Sequence, residues 1–141
     1  MNFERLTEYI ASKLLTLNIN GLTKEDIHLP NSEFQASRRG LWLEITIGKG
    51  EQENWSERTE RRMITINQIV CVPAGSGTDR VNYIAHRIQS LYAPYIPEKS
   101  GFTVGGARFR VLSCNQMTPD YQDGTFKVNV RLVVEKYEEE R

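Results

Sequence analysis

Residues 125–137 of this chain are TFKVNVRLVVEKY. Apolar side chains alternate here with polar ones, from Phe126 to Val134 on one side and from Lys127 to Arg131 on the other. Successive side chains of a strand point to opposite faces of its sheet, so this alternation predicts a strand with one buried face. Asp123 and Gly124 precede it, and both residue types favour a turn.

Three further segments favour strands. Leu41–Ile47 alternates, and it places Trp42 on the face opposite its apolar row. The segment 62–72 keeps an apolar row that Gln68 interrupts, which predicts a bulge or a position near the rim of the sheet. A strand is also predicted near Phe102–Cys114.

Two segments have the spacing of amphipathic helices. Between Phe3 and Leu17, apolar residues recur every three or four positions, and Asn2 is a candidate N-cap. The second helix is predicted to start after Thr78, a further N-cap candidate, and to bury a stripe from Val81 to Leu91. Prolines 94 and 97 end it, because proline lacks the backbone donor that a helix needs.

The predicted order of elements is α-β-β-α-β-β. Consecutive strands favour antiparallel pairing, and two one-faced helices must cover a sheet. We therefore expect an α+β fold with two layers, in which a mainly antiparallel sheet carries two helices on one face. Residues 1–141 are predicted to form a single domain, with a long hairpin loop around 48–62 and a short acidic tail at 138–141.

Composition argues against several classes of protein. The 141 residues include 18 basic and 18 acidic ones, so no net charge attracts nucleic acid or a membrane surface. No apolar run approaches the roughly 20 residues that span a bilayer, and the N-terminus does not resemble a signal peptide. The two cysteines, Cys71 and Cys114, are expected to be buried, reduced thiols.

No segment predicts catalysis, a cofactor or a metal site. The turn Gly75–Thr78 resembles a phosphate loop, but it lacks the Lys-Ser/Thr pair of a P-loop and places Asp79 at the helix start. His28 and His86 show no ligand spacing to a cysteine or carboxylate. A tight turn from strand to helix is therefore the favoured interpretation, and we do not expect an enzyme.

Aromatic and basic residues outside the predicted core instead indicate a candidate interface. Tyrosine and tryptophan are enriched at interface hot spots, because a large flat ring is desolvated with little loss of entropy. Arginines in the predicted hairpin add charge beside them. The candidate subunit or partner interface comprises Trp42, Trp55, Arg58, Arg61, Arg62, Tyr92 and Tyr95.

The layout resembles the tail-terminator-like proteins of long-tailed bacteriophages. The resemblance rests on the helix at Phe3–Leu17, the strand 41–47, the strand that ends in Val70-Cys71-Val72-Pro73-Ala74-Gly75-Ser76-Gly77-Thr78, the helix Val81–Tyr92 and the strand pair that ends in Phe126–Val134. It implies a ring, commonly a hexamer, that docks on the end of the tail tube, stops polymerisation and offers a surface for head joining.

The implied partners are other copies of the chain, the tail tube protein and a head-completion or connector protein, with DNA at most passing through the ring. The implied location is the virion tail, after assembly in the host cytoplasm. Two alternatives remain open at this point. One is a head–tail connector or neck subunit, and the other is a small ligand-binding domain that uses the Gly75–Thr78 turn.

Overall fold

A computed structural model describes residues 3–19, 22–30, 40–54, 59–75 and 78–139, with side chains described outside 49–61 and 138–139. Two helices and seven strands account for most of these residues: α1 (Phe3–Leu15), β1 (Ile27–His28), β2 (Trp42–Asn54), β3 (Thr59–Pro73), α2 (Asp79–Gln89), β4 (Gly101–Val104), β5 (Ala107–Gln116), β6 (Asp120–Gln122) and β7 (Thr125–Glu139).

The strands form one sheet in the order β1-β2-β3-β7-β5-β4, and β6 also pairs with β7. The pairing of β1 with β2 is parallel, and the other described pairs are antiparallel. Strand β7 is central, with Leu132 directly opposite Ile66 on β3 and Cys114 on β5. Its apolar row from Phe126 to Val134 is buried, which confirms the predicted strand with one buried face.

Both helices pack on that buried face. Helix α1 contributes Leu6, Ile10 and Leu14 to the core, and α2 contributes Val81 and Ile88, as their spacing predicts. Helix α2 contacts the middle strands β3, β7 and β5, whereas α1 contacts both β2 and β4. These two strands lie near opposite ends of the sheet, so the sheet must curl to bring both to one helix.

The mixed α+β class is confirmed, but the predicted architecture is wrong in two respects. The sheet is a curled half-barrel around the helices, not the simple sheet of a two-layer fold. The order of the described elements is α-β-β-β-α-β-β-β-β, and it differs from the predicted order by the three strands β1, β4 and β6. Each of these strands has four residues or fewer, which is too short for an alternating pattern to show.

Gln68 lies in the middle of the core and not at a bulge or rim. Its side chain is 0% exposed, and its neighbours Asn67 and Ile69 keep regular register with both β2 and β7. The register shifts fall between Lys49 and Gln52 and between Val111 and Ser113. The Gln68 amide Nε2 donates to the Val130 carbonyl oxygen at 3.4 Å, so a polar group is tolerated there without breaking the strand.

Most of the segment predicted as a loop around 48–62 is strand. Strand β2 continues to Asn54 and β3 begins at Thr59, with Asn54 opposite Glu60. Strand β7 includes the first two residues of the predicted acidic tail 138–141, with Glu138 opposite Glu60. Backbone hydrogen bonds between long antiparallel strands hold these polar stretches in register. Such bonds do not depend on side-chain polarity, so a polar sequence does not exclude a strand.

Candidate interaction surfaces

Tyr95 is the predicted interface residue that the structure leaves most open. It lies in the turn that follows α2, between Pro94 and Pro97, where proline prevents the helix from continuing. The residue is 85% exposed, more than any other large hydrophobic residue described as exposed. It borders a cleft of about 540 Å³, here called the α2 cleft, whose lining includes His86, Lys99 and Asn115.

Two other predicted interface aromatics are buried, so the expectation that they face solvent is wrong. Trp42 does lie on the sheet face away from the helices, opposite Cys71, but it is only 5% exposed. Tyr92 is 3% exposed, and its ring lies 6.4 Å from that of Phe102. Burial also raises the pKa of the Tyr92 hydroxyl. Alternation and helix spacing assign a face to a residue, but they do not show what covers that face.

The predicted arginine cluster is only partly described. Arg62 is half-buried on β3, directly opposite Lys136 of β7. The backbone of Arg61 pairs with Glu53 on one side and Tyr137 on the other. Trp55 and Arg58 lie outside the described residues. None of the described arginines lines the α2 cleft, so the structure does not bring them together with Tyr95.

The solvent face of α2 carries exposed residues that the predicted interface does not include. Tyr83 is 61% exposed, and the guanidinium of Arg87 lies over its ring, 5.8 Å from the centroid. His86 is exposed on the same helix and lines the α2 cleft. The available signal was the spacing of three and four residues from Tyr83 to His86 and Arg87, which puts them on one side of a helix.

The sheet face away from the helices carries a polar network. The Lys127 ammonium lies 3.3 Å from Glu44 Oε2, and the Cys71 thiol donates to the same oxygen at 3.2 Å. His28 Nδ1 lies 3.8 Å from the other oxygen. Burial, and secondarily the charge of Glu44, raises the pKa of Cys71, so its thiol stays protonated and is a poor nucleophile.

Both cysteines are buried and free, as predicted. Burial raises the pKa of Cys114 to about 12. Within the described residues, no group of three or more histidine, cysteine or acidic side chains is placed to hold a metal ion. Of the Gly75–Thr78 turn, the described residues are Gly75, whose φ of 90° suits glycine, and Thr78, whose side chain does not cap α2.

A second cleft lies on α1 and is here called the α1 cleft. Its volume is about 470 Å³, and its lining residues come from α1, the turn at Lys24 and the segment around β1. Apolar side chains supply most of the lining, and Glu8 and Lys24 supply the charges. The lining residues are Glu8, Ala11, Ser12, Leu15, Lys24, Ile27 and Leu29.

The helices of the described ranges include none long and apolar enough to cross a bilayer. Comparison with known proteins found no matching family model and no matching curated protein. Nine chains of solved structures match. One of them, whose name describes no function, has a TM-score of 0.60 at 16% sequence identity, over 95% of this chain and 89% of the other. A likeness at that identity establishes a shared fold and nothing about activity.

Proposed function

We propose that this chain is a structural subunit of a bacteriophage tail, a terminator that forms a ring on the end of the tail tube. The observation that carries the proposal is the exposure of Tyr95, at 85%, on a turn that two prolines hold outside the helix. An isolated domain gains nothing from a tyrosine left in water, whereas a subunit gains binding energy when the ring is desolvated in a pocket of its partner.

The mechanism is steric and needs no reacting group. One face of the ring matches the end of the tube, and the other face does not accept a further tube subunit, so elongation stops. That second face then receives the head-completion or connector protein. DNA at most passes through the ring, which agrees with a net charge of +0. The subunit assembles in the host cytoplasm and ends in the virion tail.

The test is the length of tail tubes assembled with and without the protein. Purified tube protein is polymerised alone, with the chain, and with a Tyr95→Ala variant as the matched control. We expect tubes that stop growing when the wild-type chain is added, with density visible at their ends by negative-stain electron microscopy. Tubes that grow unchanged and carry no end density contradict the terminator role. Binding to a portal-side protein without tube binding indicates the connector role instead.

A further inference from the structure

Strand β4 lies at one end of the sheet, and among the described strands it pairs with β5 alone. The turn Gly105–Gly106 joins the two strands, and the Val111 amide of β5 donates to the Ser100 carbonyl oxygen at 2.7 Å. Residue pairs of an antiparallel ladder alternate between hydrogen-bonded and non-hydrogen-bonded, so the backbone N–H and C=O groups of Gly101 and Thr103 point away from β5. Both residues are exposed. The outer edge of β4 therefore offers backbone donors and acceptors to an incoming strand.

Two exposed arginines stand beside this edge, on the sheet face away from the helices. Arg110 lies directly opposite Gly101, and Arg108 lies directly opposite Thr103. The residues between the arginines and on either side of them are buried. Both arginines line a cleft of about 580 Å³, here called the β4 cleft, to which Thr103 and Tyr137 add hydroxyl groups. No acidic side chain is among the described residues that line it.

The charge beside the edge is positive. Glu135 lies directly opposite Arg110 on β7, is 3% exposed and accepts a hydrogen bond from the Tyr137 hydroxyl. Its carboxylate offsets one of the two arginine charges. Arg108 has Thr103 on one side and Tyr137 on the other, and neither of these is acidic. The Arg108 guanidinium is thus left to bind a carboxylate from outside, with which it can form paired hydrogen bonds.

Glycine at position 101 leaves open the path from the edge to the arginines. A Cβ there would lie 3.0 Å from the Phe109 carbonyl oxygen, so a side chain would force the backbone to shift. A strand added beside β4 would lie roughly 10 Å from β5, two strand spacings away. A glutamate and an arginine can meet across that distance, because only Gly101 and the small Thr103 stand between them. Residues directly opposite each other share a face, so alternate glutamates would point toward Arg110 and Arg108.

We propose that the outer edge of β4 binds an extended acidic segment of a partner protein, which adds to the sheet as a strand. The backbone edge selects a polypeptide. The two arginines, two residues apart on one face, select carboxylates at alternate positions of that polypeptide. This site is separate from Tyr95 and does not depend on the proposed ring.

The experiment titrates the ¹⁵N-labelled full chain with a blocked hexapeptide that alternates glutamate and threonine, and it follows the backbone amides by NMR. Alternation puts the glutamates on one face of an extended peptide. One control peptide has glutamine in place of glutamate and lacks the charge. Another has every amide N-methylated, which keeps the carboxylates and removes the backbone donors. A thymidine hexanucleotide carries negative charge without a peptide backbone.

The expected result is a set of saturable shift changes centred on the amides of Gly101 and Thr103, with no comparable change for the control ligands. Arg108→Gln should weaken binding of the glutamate peptide about 3- to 5-fold, in the upper part of the range for one exposed ion pair. Arg131→Gln removes an exposed arginine of β7 outside the β4 cleft and should leave the binding unchanged.

Absence of shifts at Gly101 and Thr103 overturns the site. Equal binding of the glutamine peptide, or of the glutamate peptide to Arg108→Gln, overturns the selection of acidic residues. Equal binding of the methylated peptide overturns strand addition, and equal binding of the hexanucleotide at the same amides overturns the choice of a polypeptide. None of these results bears on the ring proposal, since the β4 cleft and the α2 cleft share no lining residue.

Discussion

Replacement of the buried glutamine by leucine is expected to stabilise the fold. Gln68 lies in the centre of the sheet at 0% exposure, among side chains that are otherwise apolar. Its amide nitrogen makes one long hydrogen bond, 3.4 Å, to the Val130 carbonyl oxygen. No described atom is placed to donate to its Oε1. Gln68→Leu removes both polar atoms and leaves an apolar, branched side chain that is one atom shorter.

The magnitude follows from two opposed contributions. A buried acceptor without a donor costs about 1–3 kcal/mol, which the substitution recovers. The lost hydrogen bond is worth about 0.5–1.5 kcal/mol in general, and 3.4 Å is at the long end of the range for such a bond. The branched leucine brings some strain to a close-packed core, which reduces the gain. The expected net effect is an increase of about 1 kcal/mol in the free energy of unfolding.

Urea denaturation followed by circular dichroism measures this change. We expect a higher midpoint concentration with an unchanged m-value, since the surface exposed on unfolding is nearly the same. Gln122→Leu, at an exposed position of β6, is the matched control and should change the free energy of unfolding by less than about 0.5 kcal/mol. A loss of 1 kcal/mol or more in Gln68→Leu would refute the reasoning, because the lost hydrogen bond and the strain would then outweigh the recovered cost of the unpaired acceptor.

Three other changes have expected outcomes. Leu132→Ala, in the central strand at 0% exposure, should lower the free energy of unfolding by about 2–5 kcal/mol in the same urea assay, and a loss below 1 kcal/mol would contradict its place in the core. Burial raises the pKa of Cys114 in the fold to about 12, so the stability that the protonated thiol contributes is present below the unfolded pKa near 9 and is lost as pH rises through about 12. Thermal unfolding should therefore show stability falling with pH between these two values, and Cys114→Ala should make that fall less steep. An unchanged slope in the variant would contradict the burial of the thiol. Tyr95→Ala should leave the unfolding midpoint unchanged at a dilution where both chains are monomeric, because the ring is 85% exposed, and a clear loss of stability there would show that it packs within its own domain.

The elements that could be predicted are those whose side-chain pattern reports burial. The row from Phe126 to Val134 and the stripes of both helices were sufficient, because each repeats its period several times on one buried face. The curl of the sheet could not be predicted. It depends on contacts of α1 with β2 and β4, which are distant in sequence and leave no local pattern.

Two residues of the predicted interface are buried for the same physical reason. Trp42 was assigned correctly to the face away from the helices, yet it is buried there beside Cys71. Tyr92 lies at the end of a helical stripe but turns inward to Phe102. Tyr95 is exposed, because the two flanking prolines exclude it from the helix, and its place in an interface stays a prediction. The exposure of a single side chain depends on its neighbours in the tertiary structure, and the spacing of residues in the sequence does not identify those neighbours.

The measurement that tests the central claim most directly is the mass of the purified chain in solution, by size-exclusion chromatography with multi-angle light scattering over a range of concentrations. The ring proposal predicts a discrete assembly that approaches six times the 16.3 kDa of one chain, alone or when tail tube protein is added, and a reduced mass for Tyr95→Ala. A mass that stays at 16.3 kDa at every concentration, with tube protein as well as without it, would contradict the account.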